Sequence, residues 1–365
     1  MKEKRIKKIG ILTGGGDCPG LNAVIRAAAK TAMSIYGMEV IGFKDGFQGL
    51  IDNDYKKLSF PDVSGILTQG GTILGTSNKA DPFATAANKE GKLTLIDRSN
   101  ICLKNYKQLK LEALICIGGD GTMAISSKLS KMGLNIVGVP KTIDNDLAET
   151  DFTFGFDSAV TTAAEAIDKL HSTAQSHHRV MIIEIMGRYA GWLTLYSGVA
   201  SGSDIIIIPE IPYDINKICE VVKERNKRGK RFSIIAVAEG AKPKGGKMVV
   251  GKVIKDSPDP IRLGGIAQKI AHDIETFTEL ETRVTTLGHL QRGGTPTPHD
   301  RILATRYGKK ATELVVKKSF SKMVALKRNN ITAVSLQKAV DKLKLVPKNH
   351  PIIQVAKSVG TSFGV

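Results

Sequence analysis

Two short polar runs, each directly after an apolar run, constrain this chain more than any other feature: Gly118-Gly119-Asp120-Gly121-Thr122 and Pro140-Lys141-Thr142-Ile143-Asp144-Asn145-Asp146. The apolar runs before them, residues 113–117 and 135–139, read as buried parallel strands. The first polar run has the parts of a phosphate cradle. Its glycines let backbone N–H groups approach a polyanion, Asp120 can hold Mg²⁺, and the helix that starts there exposes its positive end. The second run puts a lysine and several polar side chains at the carboxyl end of a neighbouring strand, where open α/β sheets bind ligands. Together they describe a nucleotide-phosphate site facing a hydroxyl-activating site.

A third loop, Thr13-Gly14-Gly15-Gly16-Asp17-Cys18-Pro19-Gly20, follows the first predicted strand and opens a helix. It reads as a phosphate-approach loop. The GK[ST] ending of a Walker A loop is missing, and so is the dinucleotide fingerprint. Strands are predicted at residues 8–12, 40–43, 113–117, 136–139, 180–184, 205–208, 233–238 and 281–286. Helices are predicted at 21–33, 159–173, 215–228 and 263–275. This alternation predicts an α/β fold with parallel-rich sheets. A change of domain is predicted near residues 150–155, and an exposed excursion over residues 242–260.

Thr142, Asp144 and Asp146 form the most distinctive cluster. Phosphoryl transfer to a hydroxyl needs a base for its proton, and a second carboxylate nearby splits or raises the pKa values of the pair. Met186-Gly187-Arg188-Tyr189-Ala190-Gly191, Glu239, Arg283 and His289-Leu290-Gln291-Arg292 each follow or lie on a predicted strand. Arg188, Arg283 and Arg292 suit bidentate phosphate binding, and Glu239 suits a sugar hydroxyl.

Length and charge limit the alternatives. At 365 residues and 42% hydrophobic content, the chain can bury a large core, and two domains are expected. No apolar run approaches the ~20 residues of a membrane span, so no membrane role is expected. Cys18, Cys102, Cys116 and Cys219 lack metal-ligand spacing and read as free thiols of a cytoplasmic protein. A net charge of +18 admits nucleic acid as a partner, but aromatic content of 5% is poor material for base stacking. The remaining alternatives from other classes are a lipid or dinucleotide kinase sharing the GGDGT logic and a basic RNA-binding protein.

With these motifs in this order, from about residue 9 to residue 308, the chain resembles the phosphofructokinase family. The resemblance implies two doubly wound, Rossmann-like domains with the active site in the interdomain cleft. Residues 1–155 plus 297–345 would bind the phosphoryl donor, and residues 156–296 plus 346–365 would bind fructose 6-phosphate. It implies transfer from ATP to the 1-hydroxyl of fructose 6-phosphate, with Mg²⁺ held by Asp120. Asp144 would be the general base, with Asp146, Thr142 and Arg188 beside it. Gly16, Lys79, Gly118, Gly119, Asp120, Gly121, Thr122 and Lys141 would meet the donor. Thr142, Ile143, Asp144, Met186, Gly187, Arg188, Glu239, His289 and Arg292 would bind the sugar phosphate. Arg179 and Arg283 match arginines that the family supplies from a neighbouring subunit, so a homo-oligomer with shared sites, a tetramer or dimer, is implied. ATP users of the family usually carry Gly at the positions of both Gly121 and Lys141, and pyrophosphate users carry Asp and Lys. This chain has one of each, a mixed signature that keeps a pyrophosphate-dependent enzyme as the alternative.

Overall fold

Continuous apolar runs are what a strand needs when helices cover both faces of its sheet. The computed structural model, which describes residues 6–89, 92–253 and 261–365, builds two such sheets. In chain order the strands are β1 (Lys8–Thr13), β2 (Glu39–Phe43), β3 (Tyr55–Leu58), β4 (Thr85–Lys89), β5 (Lys92–Ile96), β6 (Ala113–Gly118), β7 (Ile136–Pro140), β8 (Val180–Ile185), β9 (Ile205–Ile207), β10 (Ser233–Ala238), β11 (Val250–Val253), β12 (Ile261–Leu263), β13 (Thr282–Thr286), β14 (Lys322–Lys327) and β15 (Asn330–Ser335).

The larger sheet runs β15-β14-β7-β6-β1-β2-β3. Its five central strands are parallel, and β3 and β15 close the edges antiparallel. Successive strands move one way from β1 to β2 and the other way from β6 to β7. The direction therefore switches between β1 and β6, and the crevice outside their carboxyl ends is where such sheets hold ligands. The loops of residues 13–20 and 118–122 start there.

The smaller sheet runs β13-β8-β10-β9, all parallel. Near the carboxyl terminus, Ser362 bridges to Ile205 at its edge. One apolar cluster runs through both sheets, from Ile9, Ile115 and Val139 to Ile183, Ile206 and Ala236. Ile9, Ile115, Val139, Ile183, Ile206 and Ala236 are all fully buried. All four cysteines are buried free thiols. Among the described residues no helix is long and apolar enough to cross a membrane.

Every predicted strand is present. The helix predicted from residue 263 begins instead at Ile266. Leu263 ends β12, and Gly264 and Gly265, both at positive φ, turn the chain before the helix. The predicted excursion over residues 242–260 contains β11, which pairs antiparallel with β12. Residues 254–260 of that excursion lie outside the described residues.

Candidate active site

The site is assembled from strand ends. In the larger sheet, three of them are tied by backbone hydrogen bonds: Gly14 N–H donates to the Ile117 carbonyl at 2.9 Å, and Lys141 N–H to the Gly118 carbonyl at 2.9 Å. The helix Asp120–Lys131 starts immediately, with Asp120 exposed in its first turn. Gly118 is required by close packing, since a Cβ there would stand 2.3 Å from the Thr122 side chain. At Gly121 a Cβ would meet nothing within 4 Å, so this position opens onto free space. Lys79 is exposed on a loop held against the first one: Gly15 N–H donates to the Ser77 carbonyl, and the Thr76 hydroxyl to the Gly15 carbonyl.

The smaller sheet mirrors this pattern. Gly240 N–H donates to the Gly187 carbonyl at 3.1 Å, Leu287 N–H to the Glu184 carbonyl at 3.0 Å, and Met186 N–H to Gln291 Oε1 at 3.3 Å. The loops bearing Met186, Gly187, Arg188, Glu239, His289 and Arg292 are therefore one assembly. The Arg188 guanidinium lies 4.9 Å from the centre of the Tyr189 ring. His289 is exposed on a short 3₁₀ turn, Gly288–Arg292, at the same edge.

The two assemblies meet. Arg292 Nη1 donates to the Asp17 carbonyl at 3.1 Å, which links the last motif of the chain to the first. Gly16 lies against the same guanidinium. Lys141 is buried, and its ammonium donates to the Gly16 carbonyl. Burial pulls the Lys141 pKa below its ordinary range, partly opposed by the charges of Asp17 and Asp144.

Asp144 is half-buried between these groups. The Thr142 hydroxyl accepts from Asp144 N–H at 3.0 Å and fixes the turn. Asp144 Oδ1 is buried with no hydrogen-bond partner among the described residues. Burial pushes the Asp144 carboxyl up to about 6, with Glu239 and Asp120 adding to the rise and Arg292 and Lys141 opposing it. Burial and the charges of Asp144 and Asp120 push Asp146 up to about 7. Burial also raises Glu239, against the charges of Arg292 and Arg188. Ile143 is fully buried, so only its backbone can face a ligand.

Arg179 and Arg283 are not brought into this cluster. They flank the amino ends of β8 and β13, whereas the cluster follows the carboxyl ends, roughly 15–20 Å of strand away. Arg179 Nε pairs with Glu281 Oε2 at 2.8 Å, and Arg283 pairs with the same carboxylate. Sequence reasoning missed Lys344, whose ammonium reaches Asn145 Oδ1 in the acid loop at 2.9 Å. It sits in a lysine-rich stretch that reads as surface, and no local signal separates it from its neighbours.

Comparison with known proteins now decides the family. The phosphofructokinase model matches residues 8–315. The chain belongs to the phosphofructokinase family. It is 55% identical over 360 residues to ATP-dependent 6-phosphofructokinase 2 of Clostridium perfringens, covering 98% of each chain. It is 49% identical over 364 residues to the ATP-dependent 6-phosphofructokinase of Spirochaeta thermophila, covering 100% of this chain and 99% of the relative. Among solved structures it resembles Pichia pastoris phosphofructokinase in the T-state, with a TM-score of 0.78 and 32% identity. That match covers 92% of this chain and 36% of the much longer yeast chain. The structural likeness accords with the parallel-rich α/β architecture.

Proposed function

We propose that this chain transfers the γ-phosphoryl group of ATP to the 1-hydroxyl of fructose 6-phosphate, giving fructose 1,6-bisphosphate and ADP in glycolysis in the cytoplasm. The observation that carries this reading is the junction at Arg292 and Asp17. It sets a carboxylate with an unpartnered oxygen, Asp144, between a phosphate-loop assembly and an arginine-bearing one. The names of relatives 49–55% identical over nearly full length support ATP as the donor.

In this reading residues 1–155 plus 297–345 hold the donor and residues 156–296 plus 346–365 hold the sugar phosphate. Gly16, Lys79, residues 118–122 and Lys141 receive the donor's phosphates. Arg188 and Arg292 bind anionic groups of the sugar side, Glu239 and His289 the sugar, and Met186, Gly187 and Ile143 line its seat. Arg179 and Arg283 reach the sugar phosphate of a neighbouring subunit in a dimer or tetramer.

Asp144 takes the proton of the 1-hydroxyl as that oxygen bonds to the γ-phosphorus and the bond to the bridging oxygen of ADP breaks. Thr142 aims it, and Asp146 keeps the local field negative so that the pair's proton affinity is high.

The residues fit a magnesium ion. The charge of Asp120 raises the proton affinity of Asp144, the charges of Asp144 and Asp120 raise that of Asp146, and Asp144 Oδ1 has no hydrogen-bond partner among the described residues. Among the described residues no group of three or more His, Cys, Asp or Glu could cage an ion alone. Magnesium suits such a site, because it is commonly held by one or two carboxylates plus substrate phosphates. Asp120 would hold it, and when bound it would neutralise charge on the transferring phosphoryl group.

A coupled assay of purified protein with fructose 6-phosphate, ATP and Mg²⁺ tests the reading. Formation of fructose 1,6-bisphosphate is the expected result. Its absence under conditions where the protein is folded and assembled overturns the reading.

A further inference from the structure

The turn that presents Asp144 and Asp146 carries one residue in an uncommon backbone conformation. Asn145, between them, is buried and holds a left-handed conformation at φ 50°. Such a φ is uncommon outside glycine, though asparagine tolerates it better than most residues. The side chain of Lys344 packs its hydrogen bonds against this turn.

All three ammonium donors of Lys344 are used on this loop. They reach Asn145 Oδ1 at 2.9 Å, the Thr150 carbonyl at 3.0 Å and the Asp151 carbonyl at 2.9 Å. Asn145 Oδ1 also accepts from Thr153 N–H at 3.2 Å, which fixes the orientation of its amide. The backbone joins in: Lys344 N–H donates to the Asp146 carbonyl at 2.8 Å, and Leu343 bridges antiparallel to Leu147.

The other side of the same segment is tied to the sugar-side assembly. The Trp192 indole donates to the Lys344 carbonyl at 2.7 Å, and its ring lies 5.7 Å from the ammonium. Glu210 Oε1 accepts from both Val346 N–H, at 2.8 Å, and Gly191 N–H, at 3.0 Å. Gly191 and Trp192 directly follow the Met186–Arg188 loop. Residues 343–346 therefore form a strap with one edge on the acid loop and the other on the start of the helix Trp192–Ala200.

We infer that Lys344 is a positioning residue for the phosphoryl-transfer step: it locks the left-handed turn at Asn145 and so sets the aim of Asp144 and Asp146. The three hydrogen-bond acceptors are neutral, so these bonds fix geometry, while the ammonium's charge also interacts with Asp146 and Asp151. Burial draws the Lys344 pKa down to about 8, opposed by the charges of Asp146 and Asp151. A misplacement of about 1 Å at a reacting group can cost ~10²-fold in rate. Loss of the ammonium should therefore appear in kcat, because the hydrogen bonds that tie the strap to Trp192 and Gly191 run through the Lys344 carbonyl, the Val346 N–H and Glu210 and remain in its absence.

This inference rests on the proposed kinase activity, so the parent protein is assayed first. No turnover by the parent sinks the functional reading, whereas an active parent lets the strap be judged separately. Lys344→Met keeps the length of the side chain and removes its donors. Its kcat should fall about 10–100-fold, with KM for ATP and for fructose 6-phosphate within about three-fold of the parent. Asn145→Gly keeps the permitted backbone and removes the acceptor. It should show the same split, and the double variant should lose little beyond the weaker-active single one, because the two residues act through one contact. If Lys344→Met fails to fold, Asn145→Gly alone decides in the same way. A kcat within two-fold of the parent, a change confined to KM, or fully multiplicative losses in the double variant would overturn the inference.

Discussion

Arg292 and Asp17 are 275 residues apart in sequence and 3.1 Å apart at the guanidinium–carbonyl contact that joins the two strand-end assemblies. The same guanidinium crowds Gly16: a Cβ there would stand 2.6 Å from Arg292 Nη1. Arg292→Met should raise KM for fructose 6-phosphate about 10–100-fold, the equivalent of one charged hydrogen-bond set. Gly16→Ala should raise KM for both substrates, because it pushes the arginine while narrowing the donor loop. A Gly16→Ala enzyme with only its ATP KM altered would show that the guanidinium yields freely.

The carboxyl pair sets the pH response. Asp144 is raised from 3.8 to about 6 by burial first, and Asp146 from 3.8 to about 7 for the same reason and by Asp144 itself. As pH falls below this range the pair takes up protons and the proposed base is lost, so kcat/KM should drop on the acid side with an apparent pKa well above that of an ordinary aspartate. The stability effect has the opposite sense. Folded carboxyls with raised pKa values favour the folded state below about pH 4, and that contribution is lost as pH rises through about 6 to 7. Asp144→Asn should lower kcat by about 10²–10⁴-fold. Its ligand-free Tm should exceed that of the parent at pH 8, by a margin that shrinks toward pH 5. Equal melting temperatures at both pH values would mean that burial of the charged carboxylate costs the fold nothing.

Much of this site could be read before folding, and the reason is local. Residues 118–122 and 140–146 each carry strand, turn and chemistry within a dozen positions. Strand ends on one sheet edge must then face one crevice. Lys344 could not be read this way. Its contacts are with Asn145, Thr150 and Asp151, more than 190 residues earlier, and nothing in Lys342-Leu343-Lys344-Leu345 distinguishes a buried lysine from a solvated one. Lys141 was legible as a charge but not as a buried one, because its depth depends on the Gly16 carbonyl from another strand end. The helix start at Ile266 was misplaced because Leu263 continues an apolar period into the two glycines that break it.

Arg179 and Arg283 share Glu281 at the amino ends of their strands, away from Asp144 of their own chain. The proposed shared site therefore predicts complementation. A mixture of Asp144→Asn and Arg179→Ala chains, each nearly inactive, should regain activity after subunit exchange, because some hybrid sites then carry neither defect. Verified mixed oligomers that stay inactive would argue that each site is complete within one chain.

Gly121 and Lys141 bear on ATP-dependent transfer from opposite directions. Position 121 opens onto free space at the head of the helix Asp120–Lys131. A nucleotide's α-phosphate can approach there, and an aspartate would meet it with bulk and like charge. Lys141 is seated under the first loop, where a compact positive charge serves either donor. The most direct measurement is the rate of fructose 1,6-bisphosphate formation by the parent and by Gly121→Asp, each with ATP and with pyrophosphate. The parent should turn over with ATP in strong preference to pyrophosphate, and Gly121→Asp should lose ATP turnover while retaining its fold. A parent enzyme that uses pyrophosphate and not ATP would contradict ATP-dependent transfer and make Lys141 the residue that sets the donor.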